Sequence, residues 1–178
     1  MKKFFVLAAS LFLTVGLFSS CEEGLLTIGF DYNVYAANIQ IDPTTDVGEF
    51  TFEEELSNIN LDSVLEANGV DASALKGIYI KSMTFTDLNG GNFDAFVSAS
   101  GVVQADGQDP IELGLKPSIP EGANSFEISG EEVNDQINIE ELFGADNMKA
   151  TATLVTDAPI TDPMSVKFEI TFKIEAGK

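Results

Sequence analysis

Asp87-Leu88-Asn89-Gly90-Gly91-Asn92-Phe93-Asp94 sets oxygen-bearing side chains at alternating steps, as a loop must to wrap carboxylate and amide oxygens around Ca2+. Asp87, Asn89, Asn92 and Asp94 are therefore the candidate metal ligands. Against the helix-loop-helix calcium pattern the stretch departs at its fifth position, Gly91, at its sixth, where Asn92 stands for glycine, and at its twelfth, where Ser98 stands for glutamate. A hairpin turn that needs positive φ accounts for the same residues, and the expectation is a turn with no metal. Paired carboxylates could hydrolyse a glycosidic bond, since two acids at the right separation suffice. With 29 acids in the chain, adjacency carries no information. Glu53-Glu54-Glu55, Glu131-Glu132 and Glu140-Glu141 read as solvated faces and helix starts. Tyr32, Tyr35 and Tyr79 are the candidate stacking platforms for a glycan, in a chain that has no Trp.

Other absences remove whole mechanisms. There is no His and no Arg, and Cys21 is the single cysteine. No Ser/His or Cys/His nucleophile pair can form, and no imidazole zinc site. Ser73-Ala74-Leu75-Lys76 matches the serine-x-x-lysine signature of penicillin-binding enzymes, but neither partner motif occurs, so the match reads as chance. No catalytic residue is expected. Without a guanidinium fork, and with few lysines amid many acids, a nucleic-acid backbone is repelled and no nucleic-acid partner is expected.

The chain opens with Met1-Lys2-Lys3, continues apolar from Phe4 to Phe18 apart from Ser10, Thr14 and Gly16, and reaches Ser19-Ser20 before Cys21. This is the three-part plan of a secretory signal. A helix over those apolar residues reaches about 22 Å, short of the ~30 Å hydrocarbon slab, so it reads as an export signal and not a permanent span. A lone thiol in an exported chain has no intramolecular partner. Its place directly after an apolar segment and two small residues gives it a different use.

Phe18-Ser19-Ser20-Cys21 resembles the box that precedes the lipidated first residue of mature bacterial lipoproteins, with Leu17 one place early and Phe18 and Ser20 departing from the strictest form. With Glu22-Glu23 directly behind the cysteine, the segment is similar to the small acidic lipoproteins of the Bacteroidetes outer membrane. That resemblance implies lipidation, palmitate included, on Cys21, a short tether over residues 21–25, and residence at the outer membrane. The cell surface is the first choice of face and the periplasmic side the second. Several acyl chains on one cysteine make attachment durable, since each buried methylene contributes about 0.8 kcal/mol. Asp62-Ser63-Val64 resembles the O-glycosylation acceptor of envelope proteins in the same bacteria, which makes Ser63 a candidate modification site. The covalent lipid and the candidate Ca2+ are the only cofactors in view.

From residue 26 to 178 short strand patterns recur between turns with no repeat or linker, which implies one domain after a signal peptide at 1–20. Leu26 to Val34 alternate on even positions and Tyr35, Ala37, Ile39 and Ile41 on odd ones, predicting a bulge or a sheet change near Val34-Tyr35. Phe50 and Phe52 mark a half-buried strand. Leu61, Val64 and Leu65 predict a short helix with Asn60 as cap and Asn68-Gly69 as stop. Residues 78–86 and 93–103 read as two strands of one hairpin. Ile111 to Leu115 reads as a strand ending or lying at an edge before Pro117, and Phe126 with Ile128 as another. Ser129 and Glu132 form a capping box for a second short helix, with Val133 and Ile137 as its apolar stripe. Residues 148–156 and 164–175 close the chain with clean alternation. About eight strands and two short helices result, an all-β antiparallel sandwich of Greek-key type, immunoglobulin-like in general architecture.

The favoured function is a non-catalytic, lipid-anchored binding or structural module for an envelope partner. A glycan-binding accessory surface lipoprotein comes next, then a fimbria-like surface subunit, with a small carboxylate hydrolase as the enzymatic alternative. Losing residues 1–20 removes Lys2 and Lys3 and no acid, moving the net charge from −20 to −22. Such a surplus resists compaction through self-repulsion. Moderate salt or millimolar divalent cation is expected to raise the melting temperature; a flat or falling response in thermal denaturation contradicts this.

Overall fold

The computed structural model describes residues 27–56, 59–143, 145 and 147–177; the expected signal peptide at 1–20, Cys21 and the expected tether lie outside the described residues. Eight strands form in chain order: β1 (Thr27–Ile41), β2 (Gly48–Glu55), β3 (Leu75–Asp87), β4 (Phe96–Gln104), β5 (Ile111–Lys116), β6 (Ser125–Ser129), β7 (Lys149–Thr156) and β8 (Met164–Gly177). Two sheets result, ordered β1-β8-β3-β6 and β2-β7-β4-β5. Every pairing is antiparallel, the first strand with the last, the second with the seventh, the third with the sixth and the fourth with the fifth. A long hairpin rolled around itself has this order, so the Greek-key sandwich is a jelly roll. The immunoglobulin comparison holds for the two-layer architecture and not for the strand order.

The expected hairpin of residues 78–86 and 93–103 does not form. β3 and β4 lie in opposite sheets, and the chain between them crosses the end of the sandwich. Phe93 is the reason. It is fully buried and stands edge-on to Phe126 at 4.8 Å and to Phe96 at 5.8 Å, so it closes the core and β4 begins only at Phe96. Burial of one aromatic ring outweighs a turn signal.

The expected bulge in β1 is present, one step later than the alternation suggested. Tyr35 still pairs with Glu169, and the register shifts before Ala37 pairs with Phe168. Val34, Ala36, Ala37, Ile39 and Ile41 are buried, while Tyr35 points outward. Tyr35 therefore does not lead the inward set.

α1 (Leu61–Ala67) forms as its cap signals require: the Asn60 side chain accepts from the Ser63 N–H at 2.9 Å, and the helix ends at Asn68. The Ser129–Glu132 capping box does not form. Ser129 stays extended opposite Ser82, Gly130 adopts φ +59°, and Glu132 pairs with Lys116 at 2.9 Å. Val133 is drawn into a bridge with Gly114 of β5, and Ile137 is exposed instead of continuing an apolar stripe. What remains is a single 3-10 turn, and the second helix is α2 (Glu140–Phe143), whose first N–H is accepted by Asn138 at 3.0 Å.

Phe85 is stacked between Phe126 at 4.9 Å and Phe168 at 4.8 Å, joining three adjacent strands of one sheet. Across the core, a Cβ on Gly101 of β4 would stand 2.3 Å from the Met83 sulfur, and Met83 is fully buried. The absent side chain is what lets the sheets meet there. Gly101→Val is expected to cost about 1–3 kcal/mol by overpacking and to lower the melting temperature by roughly 3–10 °C; an unchanged thermal transition contradicts this contact.

Candidate functional site

In this topology the loops 42–47, 88–95, 117–124 and 157–163 gather at one end of the sandwich. Backbone bonds lace them: Thr44 and Ile160 exchange two at 2.9 Å, Phe93 donates to Ala123 at 2.8 Å, and Asp157 donates to Ala95 at 3.3 Å. Side chains add to this, with the Asn89 amide donating to the Pro163 carbonyl at 3.0 Å and Gly122 N–H donating to Asp94 at 2.5 Å. Between the second and fourth loops lies a cleft of about 580 Å³, in the range of small-ligand sites.

All four candidate calcium ligands, Asp87, Asn89, Asn92 and Asp94, line this cleft. Their carboxylates are already engaged. Asp87 is buried and accepts from Asn89 N–H at 3.2 Å, Gly91 N–H at 2.5 Å and Ser165 N–H at 3.3 Å, pinning the loop to β8. Asp94 accepts from Gly122 and so ties the second loop to the third. Among the described residues no group of three or more His, Cys, Asp or Glu side chains is placed to hold a metal ion.

The opposite wall, Ala158 to Met164, contributes Thr161 and Asp162. Sequence reading missed these residues, because only the strand order brings 157–163 against 88–95. The four loops contain Asp42, Asp46, Asp94, Glu121, Asp157 and Asp162 and no lysine. An anion is repelled there. Amide, hydroxyl and carboxylate oxygens suit a ligand that brings hydrogen-bond donors.

The three tyrosines do not form one platform. Tyr79 lies on the outer face of its sheet in a hollow of about 460 Å³ with Lys81, Asp135, Gln136, Lys173 and Glu175. There Glu175, by hydrogen bond and charge, holds the Lys173 ammonium above its ordinary range, with smaller contributions from Asp135 and Tyr79. Tyr32 and Tyr35 share a groove of about 170 Å³ between β1 and the end of β2, where Tyr35 is 57% exposed and Tyr32 half-buried.

Ser63 is exposed in the first turn of α1, accessible to modification. Ser73 and Lys76 do not act together. The Ser73 hydroxyl donates to Asp71 at 2.5 Å, which with the Ser73 N–H holds the Asp71 carboxyl below its usual range, and Lys76 reaches Thr27 at 2.7 Å.

No protein-family model matches the chain, and no curated protein matches it. Among solved structures it is similar to that of Desmodium yellow mottle tymovirus, with TM-score 0.31 and 10% identity over 100% of this chain and 96% of that one. It is also similar to the structure of infectious bursal disease virus Gt strain, with TM-score 0.38 and 13% identity over 84% of this chain and 33% of that one. A third is the 60-mer BFDV capsid protein, with TM-score 0.37 and 11% identity over 86% and 94%. At TM-scores this low, none of these likenesses bears on function.

The loop end depends on Asp87. Asp87→Ala strands three backbone donors and is expected to cost at least about 2 kcal/mol, with faster amide exchange over residues 88–94. Unchanged exchange there contradicts the pinning role.

Proposed function

We propose that this chain is a non-catalytic, lipid-anchored module of the bacterial outer membrane, held through Cys21 and offering its four-loop end to an envelope partner. The observation that supports this is where β1 begins. Thr27 lies only six residues beyond Cys21, a reach of at most about 20 Å. It stands at the far end of β1 from Ile41, whose loop borders the cleft. Fifteen residues of strand separate the two ends by roughly 50 Å. An anchor at Cys21 therefore holds one end near the lipid and the cleft well out from it.

The chemistry of the loop end favours binding over turnover. Two of the three cleft carboxylates, those of Asp87 and Asp94, hold the loops, which leaves Asp162 without a partner acid of the kind a carboxylate hydrolase needs. A second reading, a neutral glycan as the ligand, is favoured by the cleft's lining of Asn89, Asn92 and Thr161 with no cation. Contacts there would be hydrogen bonds to sugar hydroxyls, and the tyrosines would take no part.

Cys21→Ser tests the anchor. The native protein is expected to incorporate labelled palmitate and to fractionate with the outer membrane, while the variant carries no label and is released. A native protein that is unlabelled and as soluble as the variant overturns the proposal.

A further inference from the structure

Four strands border the two sheets, and three of them are guarded. β5 has six residues and runs into Pro117, β6 has five, and β2 carries Glu49, Glu53, Glu54 and Glu55. Short length, proline and charge are the devices that stop an unpaired row of N–H and C=O groups from templating another strand. β1 is neither short nor interrupted by proline over its fifteen residues, and its protections are one charge and one bulge. It contains no proline and no lysine, and its single charge, Asp31, is neutralised by Lys81 of β3 at 2.5 Å. Only the bulge at Tyr35–Ala37 interrupts it. Among the described residues, no backbone bond outside the β8 ladder involves residues 27–41. Ile28 and Tyr35, two of the large apolar residues exposed on the molecule, belong to this strand.

A groove runs beside that edge. Where β1 meets β2, a half-open groove of about 170 Å³ lies among Tyr32, Tyr35, Leu56 and Ile59, with the polar side chains of Asn33 and Glu55 also on its walls. It has room for one side chain. Glu53 and Glu54 continue the acidic border along β2.

We infer that the free edge of β1 accepts an extended segment of a partner polypeptide as an added strand. The segment seats one side chain in the groove and places Lys or Arg against Glu54 and Glu55. Main-chain bonds supply affinity in this mode, and the groove and the acids supply choice of sequence. A second copy of this chain is the poorer occupant, because each copy brings a net charge of −20 and β1 has no cation to meet the glutamates. The surface is separate from the four-loop cleft and does not depend on the lipid.

The test uses the full-length protein in detergent micelles and, as probe, an acetylated peptide of alternating threonine and isoleucine flanked by lysines. Hydrogen exchange read by mass spectrometry is expected to slow over residues 27–41 on adding the peptide. Tyr35→Lys, at an exposed position on the groove wall, is expected to weaken binding by about tenfold or more through like-charge repulsion. Glu127→Gln, which changes the net charge equally on the opposite border strand, is expected to leave it unchanged. Three results overturn the inference: no binding at millimolar peptide, protection outside β1, or equal weakening by both substitutions, which marks non-specific charge attraction.

Discussion

β8 can occupy the middle of its sheet because its sequence separates two surfaces without a fault. Val166, Phe168, Ile170, Phe172 and Ile174 are fully or almost fully buried, while Lys167, Glu169, Thr171, Lys173 and Glu175 alternate with them toward the outside. One flank pairs with β1 along nearly its whole length and the other with β3. A slip of one residue would turn every phenylalanine and isoleucine of this strand to water, so the register of three strands is fixed together. The consequence for folding is severe. The strand that organises the sheet is the last of the described strands, and its main partner is the first. Such distant pairing must meet the entropy of closing a very long loop before any contact rewards it, which places the chain among slow-folding topologies.

The same pairing generates the functional ends. Rolling a hairpin brings alternate loops to one pole, so residues distant in sequence, such as Asn89 and Pro163, become neighbours without any local signal that they will. This explains what sequence reading could and could not reach. Strand patterns, the bulge in β1 and the Asn60 cap follow from period and local hydrogen-bonding chemistry, and these were legible. Partner choice between strands is a property of the whole chain. Asn89-Gly90-Gly91-Asn92 has hairpin composition, yet the chain crosses between sheets because Phe93 completes a ring cluster that no local window reveals. The capping box at Ser129 fails for a related reason: β5 supplies Gly114 and Lys116, which take Val133 and Glu132 for themselves. The candidate calcium residues line one cleft, where the carboxylates of Asp87 and Asp94 accept from backbone N–H groups. A carboxylate reads the same in sequence whether it will hold a cation or a loop.

Charge divides into two populations with different work. Five lysines meet acids at 2.5 to 2.9 Å, namely Lys81 with Asp31, Lys116 with Glu132, Lys149 with Glu53, Lys167 with Glu169, and Lys173 with Glu175. Most of these pairs are well exposed and contribute little stability singly. Their value is local neutrality on the sheet faces, where several acids side by side would repel. The loop pole carries six acids and no lysine, and Glu49, Glu54 and Glu55 line β2 beside the edge of β1, so the surplus is spread over both.

Protonation acts on this division from both sides of neutral pH. Lys149 is held above its ordinary range by Glu53, as Lys173 is by Glu175. A raised ammonium contributes stability that is whole below its unfolded value and is lost as pH rises through the folded one. Asp71, lowered by the Ser73 hydroxyl and N–H, contributes above its unfolded value and loses that contribution as pH falls through the folded one. All three groups are solvent-exposed, so solvent screening keeps each contribution small. Between those limits no linkage from them changes the balance, and the repulsion among surplus acids is left to ionic strength. A protein with this surplus of acids is therefore expected to respond to the salt around it.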